Sequence, residues 1–368
     1  MFGRMFGGLL AIAIVTAACG GGATAPSGGG GPSGSCYPVT GRCPSEAQQL
    51  TGAGSTFAAV IYTKWTDEYG KLTGVQINYQ SVGSGAGIKS LTDRTVDYGA
   101  TDGPMTDAQL AAAKAPVLHL PMVMGGVVPT YNLPGISATL RFTPEALAGI
   151  YLGRITRWND PALASVNPDV RLPDQPITTV HRSDGSGTTY TWTDYLSKVS
   201  PDWKAKVGVG TSVNWPNGLG GKGNEGVAGV VKQTPYAIGY VEIIYAVQQK
   251  LGYGWVRNAA GRFVEPTLDS VSKAAAGITL PDDLRVSITN SENPDAYPIS
   301  TFTWTLSYTE IADHAKALAI ARYLWWSIHE GQAFAKDLGY APLPADVVAK
   351  TSAKIRSITS GGTPVLPQ

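Results

Sequence analysis

The sequence predicts an α/β fold divided between two lobes. Three turns carry that expectation, each rich in Gly and hydroxyl side chains and each opening a helix. The fullest is Val180-His181-Arg182-Ser183-Asp184-Gly185-Ser186-Gly187-Thr188-Thr189-Tyr190. It begins where the strand-like run 177–180 ends, and positions 192, 195, 196 and 199 beyond it share one apolar helical face. The other two are Gly52-Ala53-Gly54-Ser55-Thr56-Phe57 and Ser81-Val82-Gly83-Ser84-Gly85-Ala86-Gly87. A helix N-terminus presents unpaired N–H groups and the positive end of the backbone dipole. With hydroxyls, close-approach glycines and the fixed cation of Arg182, it makes a seat for an anion. One such turn alone is read more simply as a turn or an N-cap. Two early in the chain and one in its middle suggest a ligand held between lobes.

Length and composition suit that architecture. The 368 residues are enough for one large or two medium α/β domains, and 43% hydrophobic residues allow a sizeable core. Lys and Arg total 28 against 27 Asp and Glu, for a formal net charge of +1. That balance lacks the basic footprint of a nucleic-acid binder, so no nucleic-acid partner is expected. Anion selectivity would have to come from local groups.

Residues 1–18 read as an export signal, with Arg4 ahead of an apolar stretch over 6–15 that is too short for a permanent membrane span. Thr16-Ala17-Ala18 before Cys19 and Gly20 resembles a bacterial lipobox, which would lipidate Cys19. Cleavage as an ordinary signal peptide is the alternative. From 20 to 35, eight of sixteen residues are Gly, the composition of a flexible tether reaching on the order of 20 Å. Cys36 and Cys43 are the only other cysteines, a disulfide candidate in an exported chain. The tether with its Cys pair is assigned to 20–45, and the folded part is expected to begin near Glu46.

Taking the folded part in order, Phe57, Ile61 and Trp65 recur every four residues and predict an amphipathic helix through Tyr69. Residues 75–79 alternate as a strand, and 96–104 read as a short strand ending in a turn at Asp102. Asp102 is an ordinary turn residue unless the seats converge on it. In that case its carboxylate would repel any anion that lacks a proton to donate. Phosphate carries one at neutral pH and sulfate does not, so Asp102 would discriminate between them. Residues 121–131 predict a buried strand with a crossover, and 143–150 a helix with Pro144 in its first turn. A further helix is expected at 203–207. Residues 218–223 match G-x-G-x-x-G but follow no hydrophobic strand, so they read as a structural or lid-like loop and not a dinucleotide site. Ser186 lacks the G-x-S-x-G frame of a nucleophile. A strand at 237–241, a helix at 242–250, a return crossover at 291–298 and a helix over 308–330 complete the reading. Within that last helix Trp325 and Trp326 read as packing. The four His residues, at 119, 181, 314 and 329, show no ligand spacing, so no metal is expected.

These motifs together resemble the substrate-binding lipoprotein or periplasmic component of ABC-type high-affinity phosphate uptake systems. The resemblance runs from about Leu50 to the C-terminus. Its motifs are Thr-Gly-Ala-Gly-Ser-Thr-Phe, Asn-Tyr-Gln-Ser-Val-Gly-Ser-Gly, Asp-Tyr-Gly-Ala-Thr-Asp-Gly-Pro, Arg-Ser-Asp-Gly-Ser-Gly-Thr and Gly-Leu-Gly-Gly-Lys-Gly-Asn. It implies a two-lobed periplasmic-binding-protein fold of type II, with two crossover strands as a hinge near 121–129 and 291–300. Lobe 1 would comprise 46–125 and 297–368, and lobe 2 would comprise 126–296. By the same resemblance Thr56, Phe57 (through its N–H), Ser84, Arg182, Ser186, Gly187 and Thr188 would bind phosphate. Asp102 would accept the phosphate proton and Asp184 would hold Arg182. Some family members read Gly-Ser-Ser-Gly-Gly where this chain has Gly83-Ser84-Gly85-Ala86-Gly87, so any contact from the second serine is lost here.

The expectation is therefore a non-enzymatic phosphate receptor without a cofactor. It would be exported and monomeric, lipid-anchored in the periplasm or on the outer face of the membrane, and would serve a membrane permease. A receptor for another oxyanion such as sulfate or molybdate is an alternative that Asp102 disfavours. A phosphatase using the same seat would lack a metal cluster and an activated nucleophile. Adhesion or surface sensing is a further alternative.

Overall fold

The computed structural model describes residues 36–367. The export signal, Cys19 and the Gly-rich stretch through residue 35 lie outside the described residues. In chain order, the strands that build the site and its supports are β1 (Gln49–Gly54), β2 (Gln76–Ser81), β3 (Tyr98–Thr101), β4 (Val117–Tyr131), β5 (Arg141–Phe142), β6 (Thr178–Arg182), β7 (Leu219–Gly221), β8 (Ala237–Glu242), β9 (Gly252–Tyr253), β10 (Trp255–Arg257), β11 (Phe263–Val264) and β12 (Ser300–Tyr308). The largest sheet runs β2-β1-β3-β12-β4-β8-β6-β7, with β9 also on β4. A small sheet, β11-β10-β5, flanks it.

One strand belongs to both halves of the large sheet. β4 is 15 residues long and almost wholly buried, which its run of apolar residues with few charges requires. Its segment from Val117 to Gly126 pairs antiparallel with β12. From Val127 to Tyr131 it pairs antiparallel with β8 instead. On the first side β1 lies parallel between β2 and β3. On the second side β6 lies parallel between β8 and β7. Helices follow the parallel strands, as right-handed crossovers demand.

Local chemistry explains the helix limits. The helix Ala59–Thr73 buries Ile61, Tyr62, Trp65 and Tyr69 on one face and ends at Gly74, whose φ of 84° is the left-handed cap favoured by glycine. Phe57 falls in the turn ahead of this helix, not within it. The helix Pro144–Tyr151 starts on Thr143, whose hydroxyl accepts from the N–H of Ala146 at 3.1 Å, with Pro144 in the first turn. The predicted strands at 75–79, 96–104 and 237–241 correspond to β2, β3 and β8, and the helix expected at 203–207 is Pro201–Lys206.

Three expectations are corrected. The helix predicted over 308–330 spans only His314–Ile328: Tyr308 ends the buried strand β12, and Asp313 caps the helix by accepting from the N–H of Lys316 at 3.1 Å. The return between the halves is made by the start of β12 and not by 291–298. There the N–H of Val127 reaches the carbonyl of Ile299 at 2.8 Å, while 291–298 form turns. Finally, residues 36–45 are not tether. Cys36 and Cys43 are joined by a disulfide, and the loop packs on the helix His314–Ile328. Arg322 donates to the carbonyls of Gly41, at 2.6 Å, and Cys36, and the ring of Tyr37 meets Trp325 edge-on at 5.0 Å. Trp326 packs against Tyr69.

The Arg322 Nε also lies 2.9 Å from Oε2 of Glu46, with both side chains buried. Burial raises the Glu46 carboxyl above its ordinary value against the pull of Arg322. Replacing Glu46 by Gln strands the guanidinium charge in the core and should cost on the order of 3 kcal/mol. Urea unfolding near neutral pH measures this, and an unchanged midpoint would mean that the two carbonyls alone satisfy Arg322.

Candidate functional site

The three Gly-hydroxyl turns meet. Ser55, Thr56 and Phe57 follow β1, Ser84 opens the helix Ser84–Thr92 after β2, and Asp102 follows β3, so the first half of the sheet places all of them at the C-terminal ends of its parallel strands. Arg182 ends β6, and Ser186, Gly187 and Thr188 begin the helix Gly187–Val199 in the second half. Ligands of open α/β sheets gather at such strand ends. Every one of these side chains is buried.

Close packing draws the halves together. The N–H of Gly85 donates to the carbonyl of Gly185 at 2.9 Å. A Cβ on Gly187 would stand 2.5 Å from the backbone nitrogen of Asp102, and one on Gly83 would stand 2.3 Å from Oδ2 of Asp184. Only glycine allows these approaches. The hydroxyls of Thr191 and Thr301 point at the carbonyl of Asp102 at 3.4 and 3.3 Å.

Arg182 is the cation of the site. It is fixed by a two-point bridge to Asp184, Nε to Oδ1 at 2.7 Å and Nη2 to Oδ2 at 2.5 Å. Burial alone would raise the Asp184 carboxyl, but the hydrogen bonds and charge of Arg182, with the N–H of Gly223 at 3.1 Å, hold it below the usual carboxylate range. Nη1 of Arg182 remains turned toward the hydroxyl of Thr188 at 3.4 Å.

Asp102 is the anomalous group. Ser55 donates to its Oδ1 at 2.5 Å and Ser84 approaches Oδ2 at 3.3 Å. Burial nevertheless pushes its carboxyl up to about 6, outweighing the hydrogen bonds of Ser55, Thr303 and Ser84 and the charge of Arg182. A carboxyl poised there can hold or release a proton near neutrality.

Ser186 caps its helix, accepting from the N–H of Thr189 at 3.0 Å. His181 does not reach it. Its ring stacks on Trp215 with centroids 4.9 Å apart, and its Nδ1 lies 3.0 Å from the carbonyl of Arg182. His181 is therefore not placed to take a proton from Ser186. The free donors of the first turn are the N–H groups of Gly187 and Thr188, beside the hydroxyls. Among the described residues, no group of three or more His, Cys, Asp or Glu gathers in a way that could hold a metal ion.

The stretch 218–223 differs from the loop expected. Leu219–Gly221 forms β7 beside β6, and the helix Gly223–Gln233 follows, making a fourth strand–turn–helix junction at the site. β7 is three residues long and mostly Gly, so hydrophobicity cannot reveal it. A Cβ on Gly221 would come within 2.6 Å of the nitrogen of Val227. This junction delivers Asn224, fully buried, whose Nδ2 donates to Thr56 at 2.8 Å and to Thr188 at 3.1 Å. Asn224 stands in the motif Gly-Leu-Gly-Gly-Lys-Gly-Asn but was not among the expected site residues. Glu242, Ser55 and Tyr245 also border the site. The carboxyl of Glu242 is raised well above its ordinary value by burial, and Tyr245 donates to the carbonyl of Thr56.

A family model for the PBP superfamily domain matches residues 42–322. The chain is 44% identical to the phosphate-binding protein PstS of Pasteurella multocida, over 84% of this chain and 90% of the relative. It is 38% identical to phosphate-binding protein PstS of Methanocaldococcus jannaschii, over 80% of this chain and 82% of the relative. Among solved structures, a high-affinity periplasmic phosphate-binding protein (PfluDING) bound with phosphate has the same fold, with a TM-score of 0.69 at 21% identity over 85% of this chain and 96% of its own. An ABC-type phosphate transport receptor from Vibrio cholerae matches with a TM-score of 0.53 at 22% identity, over 80% of this chain and all (100%) of its own.

The raised carboxyl of Asp102 has a thermodynamic signature. An acid whose folded pKa of about 6 exceeds its ordinary 3.8 holds its proton more tightly when folded, so its penalty is absent below about pH 4 and grows as pH rises through 6. Asp102→Asn should therefore stabilise the unliganded protein at pH 8 but not at pH 4, by up to about 3 kcal/mol. Unfolding followed at both pH values checks this, and equal gains at the two would contradict a strained buried carboxylate.

Proposed function

The chain belongs to the PstS family of phosphate-binding proteins within the PBP superfamily and has its two-lobed, type II α/β fold, and we propose that it captures inorganic phosphate between its lobes and delivers it to the permease of an ABC-type importer. The observation that carries this reading is a buried carboxyl, Asp102, set opposite a buried guanidinium, Arg182, in a nest of hydroxyls and helix N-termini. Donors would take the ionised oxygens of a tetrahedral anion: the hydroxyls of Thr56, Ser84, Ser186 and Thr188, the N–H groups of Phe57 and Gly187, and Arg182. Asp102 would accept the proton that phosphate still carries. A sulfate would place an unprotonated oxygen against that carboxylate and be rejected.

Lobe 1 is proposed as 46–125 with 297–368, joined by the docked segment 36–45, and lobe 2 as 126–296. The crossovers between them are β4 and β12. The contacts of Gly85 with Gly185 and of Gly187 with Asp102 correspond to the closed arrangement. Closure on phosphate would be the shape read by the permease. No chemistry on the ligand is needed, so the protein acts as a receptor and not as an enzyme. It works as a monomer outside the cell membrane, in a periplasm or on the outer face, held by lipid on Cys19. Replacing Cys19 by Ala should move it from the membrane fraction to the soluble fraction.

Calorimetric titration of a soluble form beginning at Cys36, stripped of ligand, tests the receptor reading. One-to-one binding of phosphate without sulfate binding near neutral pH is expected. Heat from both anions would leave an oxyanion receptor without discrimination, and no heat from either would sink the proposal. Arg182→Ala should weaken phosphate at least roughly 100-fold, in line with the loss of a buried charge-assisted contact. Asp102→Asn should narrow the preference for phosphate over sulfate.

A further inference from the structure

We propose that Asn224 is a positioning residue that forces two hydroxyls of the site, Thr56 and Thr188, to act as donors to the ligand. This rests on the phosphate-receptor reading above and adds to it a residue that sets the polarity of the seat.

A threonine hydroxyl has one proton and two acceptor lone pairs. Thr56 Oγ1 accepts twice from Asn224, from its backbone N–H at 3.2 Å and from Nδ2 at 2.8 Å. Thr188 Oγ1 also accepts twice, from Nδ2 of Asn224 at 3.1 Å and from Nη1 of Arg182 at 3.4 Å. Both hydroxyls have thus filled their lone pairs, and neither has a protein acceptor for its own proton among the described residues. The two protons can be satisfied only by an acceptor brought into the site. An ionised oxyanion supplies it, and a neutral donor group does not.

The orientation of the amide is not free to reverse. Oδ1 of Asn224 accepts from the N–H of Glu242 at 3.0 Å, a group that can only donate. The flipped amide would set its NH₂ against that N–H and leave both threonine contacts without a donor. Asn224 is also placed to link the two halves of the sheet. It opens the helix after β7, whereas Thr56 follows β1, so the bond between them exists only when the halves are together. Orientation of the donors and closure are then one event.

Aspartate is nearly the same shape with the opposite consequence. Its carboxylate would accept the threonine protons, reverse both hydroxyls and add a negative charge beside the anion.

The test is phosphate titration by calorimetry of wild type, Asn224→Ala, Thr56→Val and the double variant, with Asn224→Asp as a fifth protein. Wild type must bind first; if it does not, the receptor reading itself fails and not this inference. Expected is a loss of roughly tenfold or more for Asn224→Ala and a far larger loss for Asn224→Asp, on the scale of charge-assisted hydrogen bonds. The loss caused by Thr56→Val should shrink severalfold in the Asn224→Ala background, because the hydroxyl there is no longer oriented. A merely structural asparagine predicts losses that multiply, and that result overturns the proposal. So does an Asn224→Asp variant that binds phosphate like wild type. Should Asn224→Ala fail to fold, Asn224→Ser takes its place in the same cycle with the same criterion.

Discussion

The two-point bridge between Arg182 and Asp184 is the interaction on which the surrounding architecture leans. Asp184 lies against Gly83 from the first half of the sheet and takes the N–H of Gly223 from the fourth junction. Arg182 reaches Thr188 in the neighbouring helix, and its backbone N–H is held by the hydroxyl of Tyr240 on β8. One ion pair therefore touches the elements that form the seat. A buried guanidinium is tolerable only with its charge and its donors both answered. Asp184 answers one edge, and the other is left facing the seat.

The remaining polar groups follow from that arrangement. A site built only of donors would hold any small anion. Asp102 interrupts the donor field with a single acceptor, at the cost of a carboxyl displaced upward by burial. Ser55 softens the cost by donating to it. On the proposed reading, selectivity would come from where acceptors and donors alternate and not from overall charge, a formal +1.

Much of this is legible in the sequence, for identifiable reasons. Helices such as Ala59–Thr73 carry a strong 3.6-residue period, and the turns at Ser55, Ser84 and Ser186 combine glycine with capping hydroxyls. β4 stands out as a long apolar run. What periodicity does not encode is which turns meet, since the packing of Gly187 on Asp102 joins positions far apart in the chain. β7 is hidden because glycines have no side chain to show a pattern, and Asn224 was hidden with it. Tyr308 suits either β12 or the helix after it. The disulfide loop reads as tether because its anchoring groups, Arg322 and Glu46, lie on either side of a long stretch of chain.

β4 pairs with one partner up to Gly126 and with another from Val127 onward, and β12 runs back beside it to the same point. The two halves are thus joined by a ribbon of continuous, hydrogen-bonded backbone and not by slack connectors. Such a ribbon resists stretching and shear far more than it resists twisting. The glycines at that point are closely packed, a Cβ on Gly125 standing 2.5 Å from the ring of Phe57 and one on Gly126 standing 3.3 Å from Val271. Donor and acceptor atoms carried on opposite halves are thus tied to one another through paired backbone, although no loop between them measures the distance.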